Sequence, residues 1–399
     1  MQIRFSLLYH NWARWCLFNL LLVAIAGLVI RSKIIFPLAF IQQKNLLHGH
    51  SHFAFGGWVT AALMVAITAI LYPEGPDKKL RRLFYVQMIA SYGMLLTFPI
   101  MGYKLPSIFF STVTIVVSIL FCFYTWKSLA TLPFSVHCWL RTALLCNMFA
   151  ALGTFALAYL MATGSHSQEL TIGSLYFFLH FQYNGWFFFS CTGLFFWWLS
   201  YAEVPMNQEV IKSCWRCITI ALVPAFFLSL LWMKIPVWIF ALAIIAAILQ
   251  IIALIIFLRE WYSLKNFMPL KPMAKYCMGI SLIALSVKFF LQALSSFPAL
   301  SIYAFGYRSL VIAFLHLVLL GFVSLFIIGY FLQMEFIPAR GIEKGIYVFS
   351  LGIILNETLL IIQGISAIAY IVIPFTSELL WLIAVLMMGG IFWLNRKSV

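Results

Sequence analysis

Charge is what this chain has least of. Asp, Glu, Lys and Arg make up 9% of its 399 residues, and only ten residues are acidic. A water-facing surface needs far more polarity than that, so a soluble globular fold is excluded. Alternating apolar and polar runs of the strand type are also missing, which leaves helices to carry the hydrophobic content. The cysteines lack a pattern: eight are scattered, most of them inside apolar runs, and read as small buried hydrophobes with no disulfide framework. Cys214-Trp215-Arg216-Cys217 is a CxxC, but no second pair completes a four-sulfur metal site. No CxxCH or flavin motif occurs either, so no electron donor is visible in these residues.

What is present is apolar length. Hydrophobic residues reach 64%, arranged in repeated runs of about 20, enough for a helix to cross a hydrocarbon core about 30 Å thick. The fold class expected is all-α, a polytopic membrane protein forming one integral membrane domain over 1–399, with the lipid bilayer as its medium. Spans are expected near 12–31, 47–72, 83–102, 105–126, 138–162, 173–200, 214–232, 235–258, 277–297, 307–333, 345–369 and 371–394, about twelve in all. The first carries Arg4 and Arg14 before it and loosely imitates a cleavable signal, but its apolar run continues to Ile30, so it reads as a retained helix. The net charge of +15 comes from basic residues in short loops, which topology explains without nucleic acid. Eighteen Lys and Arg lie at the termini and after even-numbered spans, against six after odd-numbered ones. The positive-inside rule then puts both termini in the cytoplasm of a multi-pass protein of the inner (plasma) membrane.

The histidines carry the functional signal. Three of eight fall in His48-Gly49-His50-Ser51-His52, which opens the second span just before Gly56-Gly57. His180 opens a polar patch, Gln182-Tyr183-Asn184, in the sixth span, and His316 stands in the tenth. With the expected orientation, all five lie early in even-numbered spans and so in the outer half of the membrane, at neighbouring depths. Polar rings at that depth are expensive unless bonded or ligated, and neutral imidazole suits haem iron, copper or zinc. His48 and His52, four apart, share a helix face and are spaced to clamp one metal; His50 points roughly the opposite way. The bland alternative is a set of interfacial or packed histidines with glycines serving helix contacts. His10, His137 and His166 fall near helix ends or loops and read as solvated. Arg308, two turns before His316, is placed to meet an anionic group such as a haem propionate. Lys288 and Glu357 lie within spans and fit either a mutual pair or an ion path.

Twelve helices with inner-side termini, and histidines in the second, sixth and tenth, resemble the catalytic subunit of haem-copper oxidases and nitric oxide reductases. The strings His48-Gly49-His50 and His316 with Gly321 and Gly329 are also similar to NnrS-type haem-copper membrane proteins. The resemblance implies an oxidase-like bundle holding at least one b-type haem, with His50 or His52 and His316 as ligands and Arg308 nearby. Copper is a further expectation, at His48, His52 and His180. The seventh span has no histidine where the oxidases carry a copper-binding pair, and the tenth has one where they carry two. An incomplete centre follows, suited to electron transfer or handling of a diatomic gas such as nitric oxide or oxygen, with a redox donor or partner subunits. An ion or small-solute transporter, or a non-catalytic assembly subunit on the same scaffold, are the alternatives.

Overall fold

A computed structural model describes residues 4–39, 41–165 and 167–398. Among the described residues the chain is helical, with no strand. The principal helices are α1 (Leu7–Ile35), α2 (Gln43–Leu71), α3 (Lys78–Met101), α4 (Leu105–Trp126) and α5 (Phe134–Ala162). Next comes α6, a continuous helix built from Gln168–His180, Phe181–Phe187 and Phe188–Tyr201. It is followed by α7 (Gln208–Ala225), α8 (Val237–Leu264), α9 (Pro272–Leu294), the short α10 (Pro298–Gly306), α11 (Arg308–Gln333), α12 (Glu343–Ile368) and α13 (Thr376–Ser398). Eleven helices among the described residues are long and apolar enough to cross a membrane, and together they define a multi-pass membrane protein. The sixth expected span forms α6 but is not one of the eleven: His180, Gln182, Tyr183 and Asn184 dilute its apolar content. The segment α10, between the expected ninth and tenth spans, was not anticipated from sequence; its Phe297-Pro298 start has the fixed φ suited to a first helical turn.

Helix starts follow the side chains available. Asp77 Oδ1 accepts from Leu80 N at 2.7 Å to cap α3, and Ser167 does the same for Leu170 N at 3.3 Å in α6. Pro99 lies inside α3 and Pro224 inside α7; each removes a backbone donor from its helix.

The chain packs as two compact units. One comprises Met1–Thr125, Lys271–Ser281 and Val323–Val399; the other comprises Trp126–Leu270 and Leu282–Phe322. The core of the first is the C-terminal half of α2, where every residue from Gly57 to Ile70 is buried. Within it, the stretch Ala54–Thr60 is π-helical, which spoils part of the ordinary hydrogen-bond ladder. Two neighbouring amides compensate. Asn19 of α1 donates to the Gly57 carbonyl at 2.5 Å, and Gln87 of α3 donates to the Gly56 carbonyl at 3.0 Å. Asn19 Oδ1 in turn accepts from Tyr92 Oη at 2.6 Å, and Tyr92 accepts from Trp15 Nε1 at 2.6 Å. Asn19→Leu is expected to strand the Gly57 carbonyl and the Tyr92 hydroxyl, costing about 1–3 kcal/mol, read as a lowered unfolding temperature in detergent.

In the second unit, α7 and α8 meet through Ala221, Ala225, Ala243, Ala246 and Ala247, with Leu228 closing the cluster. Small side chains let two apolar helices approach closely when lipid supplies no competing hydrophobic drive. Helix α6 is buried from His180 through Leu199, and Trp139 of α5 packs among its Phe188, Phe189 and Phe196 rings.

Candidate functional site

The three histidine-bearing helices share one local construction. In α2 the π-helical turn Ala54–Thr60 begins two residues after His52; in α6 Phe181–Phe187 begins directly after His180; in α11 Leu317–Ser324 begins directly after His316. Each histidine is followed five positions later by glycine and then an aromatic residue: Gly57-Trp58, Gly185-Trp186 and Gly321-Phe322. This shared spacing is the signal that span-by-span reading of the sequence misses. π-Helical turns are rare and concentrate at functional sites, so their recurrence beside these histidines marks all three segments. His48, His50 and His52 belong to the first unit; His180 and His316 belong to the second.

His50 is turned toward α1. Its Nδ1 lies 3.1 Å from the Val23 carbonyl, which can only accept, so Nδ1 carries the proton and Nε2 keeps the lone pair. Gly27, one turn further along α1, makes the room: a methyl group there would come within 3.2 Å of His50 Cε1. A ring nitrogen anchored on a backbone carbonyl, with the other nitrogen left basic, is the arrangement that orients metal-ligating histidines.

His48 and His52 face the other way, onto the end of α3 and the turn after it. The His52 ring lies parallel to Phe98, 6° apart with centroids 4.5 Å distant, and its Nε2 is 2.9 Å from Tyr103 Oη. The His48 ring meets Tyr103 edge to face at 4.7 Å, and its buried Nε2 has no hydrogen-bond partner. Close backbone approach fixes this face. Gly49 lies under the Pro99 ring, where an added Cβ would be 2.9 Å from Pro99 Cδ. Gly102 has φ +62° and abuts Asn45 Oδ1, which folds the α3–α4 turn back over the start of α2. Burial raises the Tyr103 phenol pKa above its ordinary value, so the hydroxyl stays protonated at neutral pH and is able to donate to His52.

His180 is fully buried and doubly bonded. Its Nε2 donates to the Leu222 carbonyl at 2.8 Å, and Nδ1 accepts from Asn184 Nδ2 at 3.1 Å. The carbonyl is available because the helix tightens after Pro224 and Phe226 N–H turns to Val223, not Leu222. In this arrangement His180 has no ring nitrogen left for a metal. His316 is half-buried at the end of the α-helical part of α11, and Arg308 is exposed at its start. Tyr183 of α6 and Phe314 of α11 pack edge to face at 6.0 Å, which brings the His180 and His316 segments together within their unit.

Among the described residues no three of His, Cys, Asp and Glu are grouped closely enough to hold a metal ion. Buried ionisable side chains occur elsewhere. Lys288 is 1% exposed with its Nζ 3.9 Å from the centre of the Phe289 ring. Glu357 is buried, accepts from Asn356 Nδ2 at 2.9 Å through Oε1, and leaves Oε2 without a partner. Of the remaining histidines, His10 and His137 turn back onto the local carbonyls of Ser6 and Leu132, while His166 lies outside the described residues. No family model and no curated protein matches this chain.

Proposed function

We propose that this is a haem-binding membrane protein of the inner membrane, with both termini cytoplasmic, that uses a b-type haem for electron transfer or for handling a diatomic gas. The single observation that carries the reading is His50: its proton is committed to the Val23 carbonyl, its second nitrogen keeps its lone pair, and Gly27 lacks the side chain that would crowd the ring. The donor set fits haem iron, which accepts neutral imidazole and gains a fixed ring orientation from such a carbonyl. The resemblance also offers His316, with Arg308 before it, as a haem ligand with a propionate partner. When bound, the haem would supply one-electron exchange between ferric and ferrous iron. The residues here set the ligand tautomer, hold the ring in place and keep the surroundings apolar. Purified protein should show a b-type band in a reduced-minus-oxidised optical spectrum, with iron near one equivalent per chain. A colourless, iron-free preparation would reject the reading.

A second reading, passage of protons or a small solute, is favoured by Lys288 and Glu357, since charged side chains buried in spans mark ion paths. Solute uptake by vesicles holding the colourless protein would favour it.

A further inference from the structure

We infer that His48, His52 and Tyr103 form a site for one divalent transition-metal ion of the class that imidazole binds well, zinc or copper, separate from the ring of His50. The inference does not depend on the haem reading. It starts from an imbalance: His48 Nε2 is buried and has no hydrogen-bond partner, although a polar atom in that position normally finds one. Beside it, on the same face of α2, His52 Nε2 has a single partner, Tyr103 Oη, at 2.9 Å. The Tyr103 ring touches both imidazoles, with centroids 4.7 Å from His48 and 5.9 Å from His52. An ion bound here would take the place of the hydroxyl proton between Tyr103 Oη and His52 Nε2, that proton leaving to water, and so would meet two imidazole nitrogens and one phenol oxygen around one tyrosine.

The construction around them is rigid. Histidines at i and i+4 on a helix project side by side, so no backbone change is needed to aim both at one ion. Phe98 stacks against His52 and contacts the edge of Tyr103 at 5.0 Å, limiting the swing of both rings. Gly49 against Pro99 and Gly102 against Asn45 hold the two chain segments at a distance that any larger side chain would increase. Tyr103 is 36% exposed and stands in the turn between α3 and α4, which gives an ion a path inward. Two neutral imidazoles and a phenol oxygen suit zinc or copper better than magnesium or calcium, which prefer several carboxylate or carbonyl oxygens. Three protein donors leave a position for water or another ligand, the open form of site.

The test is equilibrium dialysis of the purified protein in detergent against Zn²⁺ alone and Cu²⁺ alone, with bound metal measured by elemental analysis. Wild type should hold one equivalent per chain of at least one of the two ions. The double variant His48→Gln, His52→Gln should hold none, and Tyr103→Phe, which removes one of the three donors, should bind more weakly by at least the roughly 10–100-fold that losing even an outer-shell partner costs. His50→Ala should keep its full metal equivalent while losing haem. That outcome separates this site from the haem reading: metal without haem in wild type leaves the inference standing and removes the other. Equal metal uptake by wild type and the double variant would overturn it, as would no uptake by wild type. Should the double variant fail to fold, Tyr103→Phe decides, and unchanged affinity there counts against the site.

Discussion

His50→Ala is expected to strip the protein of most of its haem while barely altering its stability. The two effects part company because of where the ring is anchored. The Val23 carbonyl that receives His50 Nδ1 lies in the middle of α1, where an ordinary helical partner four residues on also serves it. Losing the histidine therefore strands no backbone group, and the stability cost is about 1 kcal/mol, the net worth of one hydrogen bond. Losing an axial ligand is different in kind, because iron has no substitute donor in the alanine variant. Gly27→Val supplies the graded version. It keeps the imidazole but crowds Cε1, where even a methyl group approaches to 3.2 Å, so the ring must tilt off the carbonyl. Disturbing such an outer-shell contact should weaken haem binding about 10–100-fold. Haem content by pyridine haemochromogen assay, alongside the unfolding temperature, checks both variants. Full haem retention in His50→Ala would move the ligand role away from this residue.

Much of the helical layout was legible because apolar length is a local property. The second span, expected near 47–72, is Gln43–Leu71, and the eleventh, expected near 345–369, is Glu343–Ile368. The opposed facing of His50 against His48 and His52 was also legible, since helical periodicity alone sets it. Other features depend on partners distant in sequence. Whether His50 is a free ring or an anchored one is decided by Val23 and Gly27, and nothing near residue 50 announces them. Tyr103 reaches the histidine face only because Gly102 takes a positive φ and Gly49 admits the Pro99 ring. The π-helical turns escape a hydropathy reading, which treats a π turn and an α turn alike. Their signature is the histidine, glycine and aromatic spacing, together with buried amides such as Asn19 and Gln87 placed in other helices to receive the displaced carbonyls.

His180 shows how such a distant partner changes the expected chemistry, and His180→Leu is the variant that exposes it. The sequence offers this residue as a copper ligand, whereas the structure occupies both of its nitrogens with protein groups. Leucine keeps much of the volume but leaves the Leu222 carbonyl and the Asn184 amide buried without their partner. Each such group costs about 1–3 kcal/mol, so the variant should lose about 2–6 kcal/mol in total. Against a folding free energy of about 5–15 kcal/mol for a typical domain, that is a large fraction, visible as a marked fall in unfolding temperature. Asn184→Ala supplies the control, because the Asn184 amide is the other group that His180 satisfies. With that amide gone, His180→Leu strands only the Leu222 carbonyl. In that background the penalty of His180→Leu should shrink by the share belonging to the amide, about half. A double-mutant cycle on unfolding free energies measures this coupling. Loss of bound metal from His180→Leu with little change in stability would instead return the ring to the metal chemistry that its sequence position suggests.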